Sequence, residues 1–249
     1  MSAKAKLRLD ELLVRRGLAR SRSQARALVL EGRVFSREVR LDKPGMLLAA
    51  ETPLEVRGGR RFVSRGGEKL EAALDHFGLD VRGMVALDVG ASAGGFTDVL
   101  LKRGAKRVYA VDVGYGQLDW KLRNDPRVVV LERTHAAELD RDRVPEPVDL
   151  VVCDVSFISL KKALPAPLRL TAPRAWLVAL IKPQFEVGRS RVGKGGVVRD
   201  PALHEAVCRD IAAWIDSLPG WRVVGTVESP LRGPKGNREF FIAARREPA

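Results

Sequence analysis

Beyond residue 64 the chain alternates short apolar runs with amphipathic segments, and that alternation leaves few folds open to it. Met84–Val89, Arg107–Asp112, Val128–Leu131, Val148–Asp154 and Ala175–Ile181 read as strands. Gly67–Phe77, Gly95–Arg103, a short Gln117–Leu122, Ser159–Arg169 and Pro201–Leu218 read as the helices around them. Strands that are apolar on both faces need cover on both, so the pattern predicts an α/β domain built on a parallel sheet with helices on each side. Arg222–Val227 and Glu239–Ala243 are joined by a Pro/Gly loop in place of a helix, which predicts one antiparallel strand at the far end of the sheet.

Residues 1–57 follow a different pattern. Helices are predicted over Arg8–Arg16 and Arg22–Glu31, on either side of Gly17, with Ser21 and Gln24 spaced as a capping box in which each side chain serves the other's amide. Short strands follow at Val34–Phe35, Val39–Leu41 and Leu54–Val56, broken by Pro44, Gly45 and Pro53. Residues 58–64, with two glycines beside Arg60 and Arg61, read as a linker, which leaves 65–249 for the α/β domain. A chain of 249 residues has room for one domain of that size with a small one before it.

The charge balance points to a polyanion. Forty-four Lys and Arg stand against 31 Asp and Glu, a formal net charge of +13, and the arginine fork is well matched to phosphate. Arg20, Arg22 and Arg26 fall on the exposed side of the second helix, Arg8 opens the first, and Arg60, Arg61 and Arg65 surround the linker. These seven are candidate RNA contacts, with a solvated basic surface as the plain alternative. Cys153 and Cys208 lack the paired spacing of a zinc or redox motif and are expected to be free thiols in apolar settings; no metal site is expected. No stretch approaches the roughly 18 apolar residues of a membrane span, and no apolar segment follows the basic start, so a cytoplasmic protein is expected.

The strand ending Leu87-Asp88-Val89 runs into Gly90-Ala91-Ser92-Ala93-Gly94-Gly95-Phe96-Thr97 and then a helix. Glycines at such a turn let a ligand approach the backbone. Their spacing differs from the Gly-x-Gly-x-x-Gly of a dinucleotide site, which argues against a nicotinamide dehydrogenase and for a nucleoside-like ligand. Asp112 ends the next strand, where a carboxylate can accept hydrogen bonds from both hydroxyls of a ribose. Four further charges stand out: Lys69, Asp154, Lys182 and Glu239. Asp154 and Lys182 each end an apolar strand, the edge at which ligands sit in open α/β sheets, and buried charges there would need one another as partners.

This quartet resembles the Lys-Asp-Lys-Glu tetrad of FtsJ-like ribose 2′-O-methyltransferases, and within them the TlyA family. Ser-Arg-Gly-Gly at 64–67 and Lys-Pro-Gln-Phe-Glu-Val-Gly at 182–188 strengthen the likeness. Arg-Leu-Asp-Glu-Leu-Leu at 8–13 and Ser-Arg-Ser-Gln-Ala-Arg-Ala-Leu at 21–28 resemble the RNA-binding module named after small-subunit ribosomal protein S-four. The resemblance covers nearly the whole chain. It implies a Rossmann-like class I methyltransferase sheet, mostly parallel with one antiparallel strand, preceded by a small α+β RNA-binding domain. It also implies S-adenosylmethionine as cofactor, contacted by Asp88, Gly90, Ser92, Gly94, Gly95, Phe96, Thr97, Asp112, Val113 and Thr134. His135 stands where the family often carries Asn.

By the same resemblance the substrate is ribosomal RNA within ribosomal subunits. The target is a cytidine of large-subunit rRNA, joined in some members by one of small-subunit rRNA; the chain's end soon after its last strand resembles the shorter, large-subunit form. A ribose hydroxyl is a weak nucleophile until its proton is accepted. Lys182 is the candidate base or oxyanion stabiliser, its neutral form favoured by Lys69 and by the cofactor's sulfonium, with Asp154 and Glu239 holding the geometry. Two alternatives compete: a membrane-active haemolysin, a label also attached to TlyA-type proteins, and a non-catalytic ribosome-assembly factor. The first needs an amphipathic or spanning segment and the second has no use for the tetrad. No sequence feature specifies an oligomeric state.

Overall fold

A computed structural model describes residues 6–58, 61–188, 191–193 and 195–248. The chain divides into two compact units, Met1–Arg61 and Phe62–Ala249.

In the smaller unit β1 (Lys6–Arg8) leads into α1 (Leu9–Arg15) and α2 (Arg22–Leu30), followed by β2 (Val34–Ser36), β3 (Val39–Arg40), β4 (Leu47–Ala49) and β5 (Glu55–Val56). β1 pairs with β4, and β2 lies between β3 and β5, all antiparallel. Leu9 and Leu13 on one helix and Ala25 and Val29 on the other share the four-residue spacing of a single helical face, and they close a core with Val34 and Leu41. β1 and β4 escape the sequence reading because strands of three residues carry too little alternation to register. The capping box is shifted: Ser21 Oγ accepts from the Gln24 N–H at 3.2 Å, but Gln24 Oε1 accepts from the Arg20 N–H at 2.7 Å, one residue earlier than predicted.

The larger unit contains α3 (Arg65–His76), β6 (Val85–Val89), α4 (Gly95–Lys102), β7 (Arg107–Val111), α5 (Trp120–Arg123), β8 (Val128–Leu131) and β9 (Val148–Cys153). It continues with α6 (Leu160–Ala163), α7 (Pro165–Arg169), β10 (Thr171–Ile181), α8 (Pro183–Glu186), α9 (Pro201–Asp216), β11 (Trp221–Glu228) and β12 (Phe240–Arg246). The sheet order is β11-β12-β10-β9-β6-β7-β8, and β12 runs antiparallel to both its neighbours. The antiparallel strand is therefore one place in from the edge. Burial explains the exchange. β12 is buried through Phe241–Ala244 and belongs in the interior, whereas every second residue of β11 is exposed, which suits an edge.

Alternate residues of the central strands feed two core layers. Leu87, Val89, Val151 and Leu177 join α9 on one face, while Ala86, Leu150, Val152 and Val178 join α3 and α4 on the other. The helix predicted over Ser159–Arg169 is two, because Pro165 lacks the amide that would continue α6 and instead opens α7. β10 begins before Ala175, and its register against β9 shifts between Thr171 and Trp176, across Pro173. Residues 62–64, assigned to the linker from sequence, belong to the larger unit: Phe62 is buried in the α3–α4 layer, and the Val63 N–H donates to Asp98 Oδ2 at 2.9 Å. Cys153 and Cys208 are free, and burial pushes both thiols up. No helix among the described residues is long and apolar enough to cross a membrane.

Candidate active site

The carboxyl ends of β6, β7, β9 and β10 meet at one edge of the sheet. The turn after β6 is fastened to β7 by the N–H groups of Gly90 and Ala91, which both donate to Val111 O at 2.9 and 3.0 Å. Gly90 has φ +86°, and a Cβ there would stand 2.6 Å from the Asp154 carbonyl oxygen, so only glycine lets the turn lie against the end of β9. Asp112 accepts the Ser92 N–H on one oxygen at 2.8 Å and the Gly114 N–H on the other at 2.7 Å. Each carboxylate oxygen keeps a lone pair for a ligand.

A cavity of about 710 Å³ opens over this turn. Its walls include Val89, Val111, Val113, Val155 and Ile158, with Asp112 and the Thr134–His135 pair at the polar side. Thr134 is buried, its N–H donating to Asp112 O at 3.0 Å; His135 is exposed and begins a short 3-10 turn. Apolar walls for a base and a pinned carboxylate for two hydroxyls fit a nucleoside in both size and chemistry.

Five of the sequence candidates, Asp88, Gly94, Gly95, Phe96 and Thr97, do not line this cavity. Asp88 lies beneath the turn, fully buried, with Oδ2 accepting from Thr97 Oγ1 at 2.7 Å and Oδ1 without a partner. Burial pushes its carboxyl up to about 7; the Thr97 bond opposes that, and the charges of Asp154 and Asp112 add to it. Asp88 and the buried Thr97 thus tie β6 to α4, because residue 88 faces the helix layer and not the sheet edge. Gly94 backs onto packing: its φ is +93°, and a Cβ would stand 2.7 Å from Leu118 and collide with Leu122. Gly95 and Phe96 border a second cavity, and a Cβ on Gly95 would collide with Ser64 Oγ, so this glycine also lets the starts of α3 and α4 touch.

That second cavity, about 470 Å³, shares Gly90, Ser92, Asp154 and Ser156 with the first. Lys69, Asp154 and Lys182 line it, and Glu239 is buried against Lys69, so the four charged candidates form two pairs. Lys182 Nζ lies 2.6 Å from Asp154 Oδ1 and donates to Ser156 Oγ at 3.0 Å. Lys69 Nζ donates to Glu239 Oε2 at 2.6 Å, leaving Glu239 Oε1 buried without a partner. Glu239 and Lys182 are buried. With these charges balanced, Arg65, Arg232 and Lys235 around the same cavity are excess positive charge suited to phosphates.

Sequence reading passed over Ser156, Arg232 and Lys235. Ser156 carried a signal, since it follows Asp154 in a loop at a strand's carboxyl end. Arg232 and Lys235 carried none; they arrive on the loop that inserts β12 between β10 and β11. Of the candidate RNA contacts, Arg8, Arg22 and Arg26 gather on Asp10 in the smaller unit. Arg20, Arg61 and Arg65 are exposed, and Arg60 lies outside the described residues.

The sequence profile of the FtsJ-like methyltransferase family matches residues 62–246, and that of the S4 domain matches residues 7–51. The chain is 51% identical over 240 residues to the 16S/23S rRNA (cytidine-2′-O)-methyltransferase TlyA of Mycobacterium tuberculosis, spanning 96% of this chain and 89% of that one. It is 42% identical over 236 residues to Hemolysin A of Brachyspira hyodysenteriae, spanning 94% and 98%. A solved structure of a hemolysin-named protein from Streptococcus thermophilus superimposes with a TM-score of 0.74 at 43% identity, over 98% of this chain and 90% of that one.

Proposed function

The chain belongs to the FtsJ-like methyltransferases, in the TlyA family with its S4 domain, and from that membership we propose that it methylates the ribose 2′-hydroxyl of a cytidine in ribosomal RNA, with S-adenosylmethionine as donor. One observation carries the reading: Lys69, held by the buried Glu239, and the Lys182–Asp154 pair border a cation-rich cavity that shares its wall with a nucleoside-sized one. The hemolysin name is carried within the same family. The proposed substrate is a ribosomal subunit, the large one first and the small one as a second target, which puts the work of the enzyme in the cytoplasm. The proposed division of labour has residues 1–57 gripping RNA and the larger unit performing the chemistry.

S-adenosylmethionine supplies, when bound, a methyl group on a sulfonium that an oxygen nucleophile displaces in line. Asp112 takes the ribose hydroxyls of that cofactor, the Gly90 turn lets it close on the backbone, and Val111, Val113 and Thr134 flank its base. Lys182 handles the acceptor hydroxyl, either removing its proton or holding the oxyanion. Asp154 and Ser156 orient the Lys182 ammonium, and Glu239 anchors Lys69. Arg65, Arg232 and Lys235 take the flanking phosphates.

The test is a map of methylated riboses in rRNA from a deletion strain against its parent. Loss of a 2′-O-methylcytidine that returns with the wild-type gene but not with Lys182→Ala is the expected result. An unchanged map overturns the proposal.

A further inference from the structure

Asp10 is an anomaly in a unit read as gripping a polyanion. Its side chain is 0% exposed, yet three arginines gather on it. Arg8 donates from Nε and Nη2 to its two oxygens at 3.1 Å each, Arg26 Nε donates to Oδ2 at 3.0 Å, and Arg22 Nη2 lies 3.6 Å from Oδ1. The pieces come from three places: Arg8 from β1, Asp10 from α1, and Arg22 and Arg26 from successive turns of α2, where a four-residue spacing puts them on one face. The backbone that carries the carboxylate is fixed as well, since the Asp10 N–H donates to Pro44 O at 2.9 Å, and a Cβ on Gly45 would press on the Arg8 guanidinium at 3.3 Å. The three arginines hold the Asp10 carboxyl well below its ordinary range, so it stays charged at any working pH.

Three cations on one anion leave a net charge of +2, and the guanidiniums keep 40%, 54% and 55% of their side-chain surface in solvent. Each guanidinium has five donors, and the bonds to Asp10 use only a few of them. Without the carboxylate, three like charges this close would repel and splay. With it, their free donors are held together over one spot, which is the arrangement that receives the two anionic oxygens of a phosphodiester.

We infer that Arg8, Arg22 and Arg26 form a single phosphodiester-binding site and that Asp10 is its positioning residue, so that this unit needs a buried negative charge in order to bind RNA. The inference rests on the proposed RNA-gripping role and deepens it. It also makes a prediction opposite in sign to net charge. Asp10→Asn in the full chain adds one positive charge, so long-range electrostatics alone gives tighter binding to RNA and a steeper salt dependence.

The test titrates the wild-type chain and Asp10→Asn against unmethylated large ribosomal subunits from a deletion strain over a series of KCl concentrations. The expected result is about tenfold weaker binding by the variant and a slope of log K against log salt reduced by about 1 to 2, with an unchanged melting transition. Equal or tighter binding by a folded Asp10→Asn overturns the inference. If that variant unfolds, the double variant Arg22→Lys/Arg26→Lys, which keeps every charge but removes the planar forks, replaces it; about tenfold weaker binding supports the site, and wild-type affinity overturns it. A wild-type chain that does not bind the subunits at all removes the RNA-gripping role itself, and the site with it.

Discussion

The two cavities at the carboxyl edge of the sheet are built from different material. The nucleoside-sized one is shaped by a backbone turn, by short apolar side chains and by an Asp112 whose oxygens are held by two amides. The other is shaped by the tips of long charged side chains, with Lys69 from α3, Asp154 and Lys182 from the ends of β9 and β10, and Arg232 and Lys235 from the loop before β12. A backbone-built wall is sensitive to added volume, because carbonyls cannot step aside. A charge-built wall is sensitive to lost charge and tolerates changes of shape. Substitutions of each kind should therefore separate cofactor affinity from the rate of transfer.

The largest effect is expected on the charged side. Lys182→Ala should lower single-turnover methylation by about 10²–10⁴-fold while cofactor affinity stays within a few fold. Lys182→Arg sharpens the result, because arginine keeps the charge but does not release its proton. A dead arginine variant indicates a base, and substantial recovery indicates oxyanion stabilisation. A wild-type rate in Lys182→Ala breaks the comparison outright.

On the backbone side, Gly90→Val should weaken S-adenosylmethionine binding by about a hundredfold in calorimetry, since its Cβ meets the Asp154 carbonyl at 2.6 Å and its φ is left-handed. Gly94→Ala shares the left-handed φ but points at Leu118 and Leu122 behind the turn. It should cost about 1–3 kcal/mol of stability with a much smaller loss of cofactor affinity. Equal losses of affinity in the two variants would mean that the turn responds as one rigid piece.

Glu239→Gln preserves shape and removes charge, leaving the mostly buried Lys69 ammonium without its counter-ion. A cost of about 1–3 kcal/mol in chemical denaturation is expected, with an unchanged cofactor affinity. Stability equal to the wild type would make the Lys69–Glu239 pair dispensable.

The smallest effect on methylation concerns Asp88, beneath the backbone-built cavity. Its carboxyl is raised from 3.8 to about 7, so between those values the folded chain holds a proton that the unfolded chain has released. Stability from this group is complete below pH 4 and declines as pH rises toward 7. Asp88→Asn should flatten that part of the melting profile and leave methylation within a few fold of wild type. An unaltered slope would show that Asp88 does not carry the burial cost assigned to it.

The strands of the larger unit, the glycine turn and Asp112 were legible because each depends on neighbours in the chain: runs of buried residues, glycine at a strand-to-helix turn, and an acid at the end of a strand. Asp154 and Lys182 were legible as charges ending apolar strands and Lys69 and Glu239 by resemblance to a family; that buried charges would partner one another followed from burial, but which lysine takes which carboxylate did not. The resemblance implies Asp88 and Thr97 as cofactor contacts, and their positions along the chain sit beside the turn, but their side chains meet each other beneath it, between β6 and α4.

What the sequence by itself determined is the alternation of elements, hence a covered parallel sheet with its ligand edge, and a small basic unit ahead of it. Only the tertiary structure decided that β12 slips inside β11, bringing Arg232 and Lys235 to the cavity of Lys69 and Glu239 to Lys69 itself, and that a single aspartate gathers Arg8, Arg22 and Arg26. The reason is physical: hydrophobic periodicity is a property of consecutive residues, but a charge chooses its partner by distance in space, and Lys69 and Glu239 are brought to 2.6 Å from 170 residues apart.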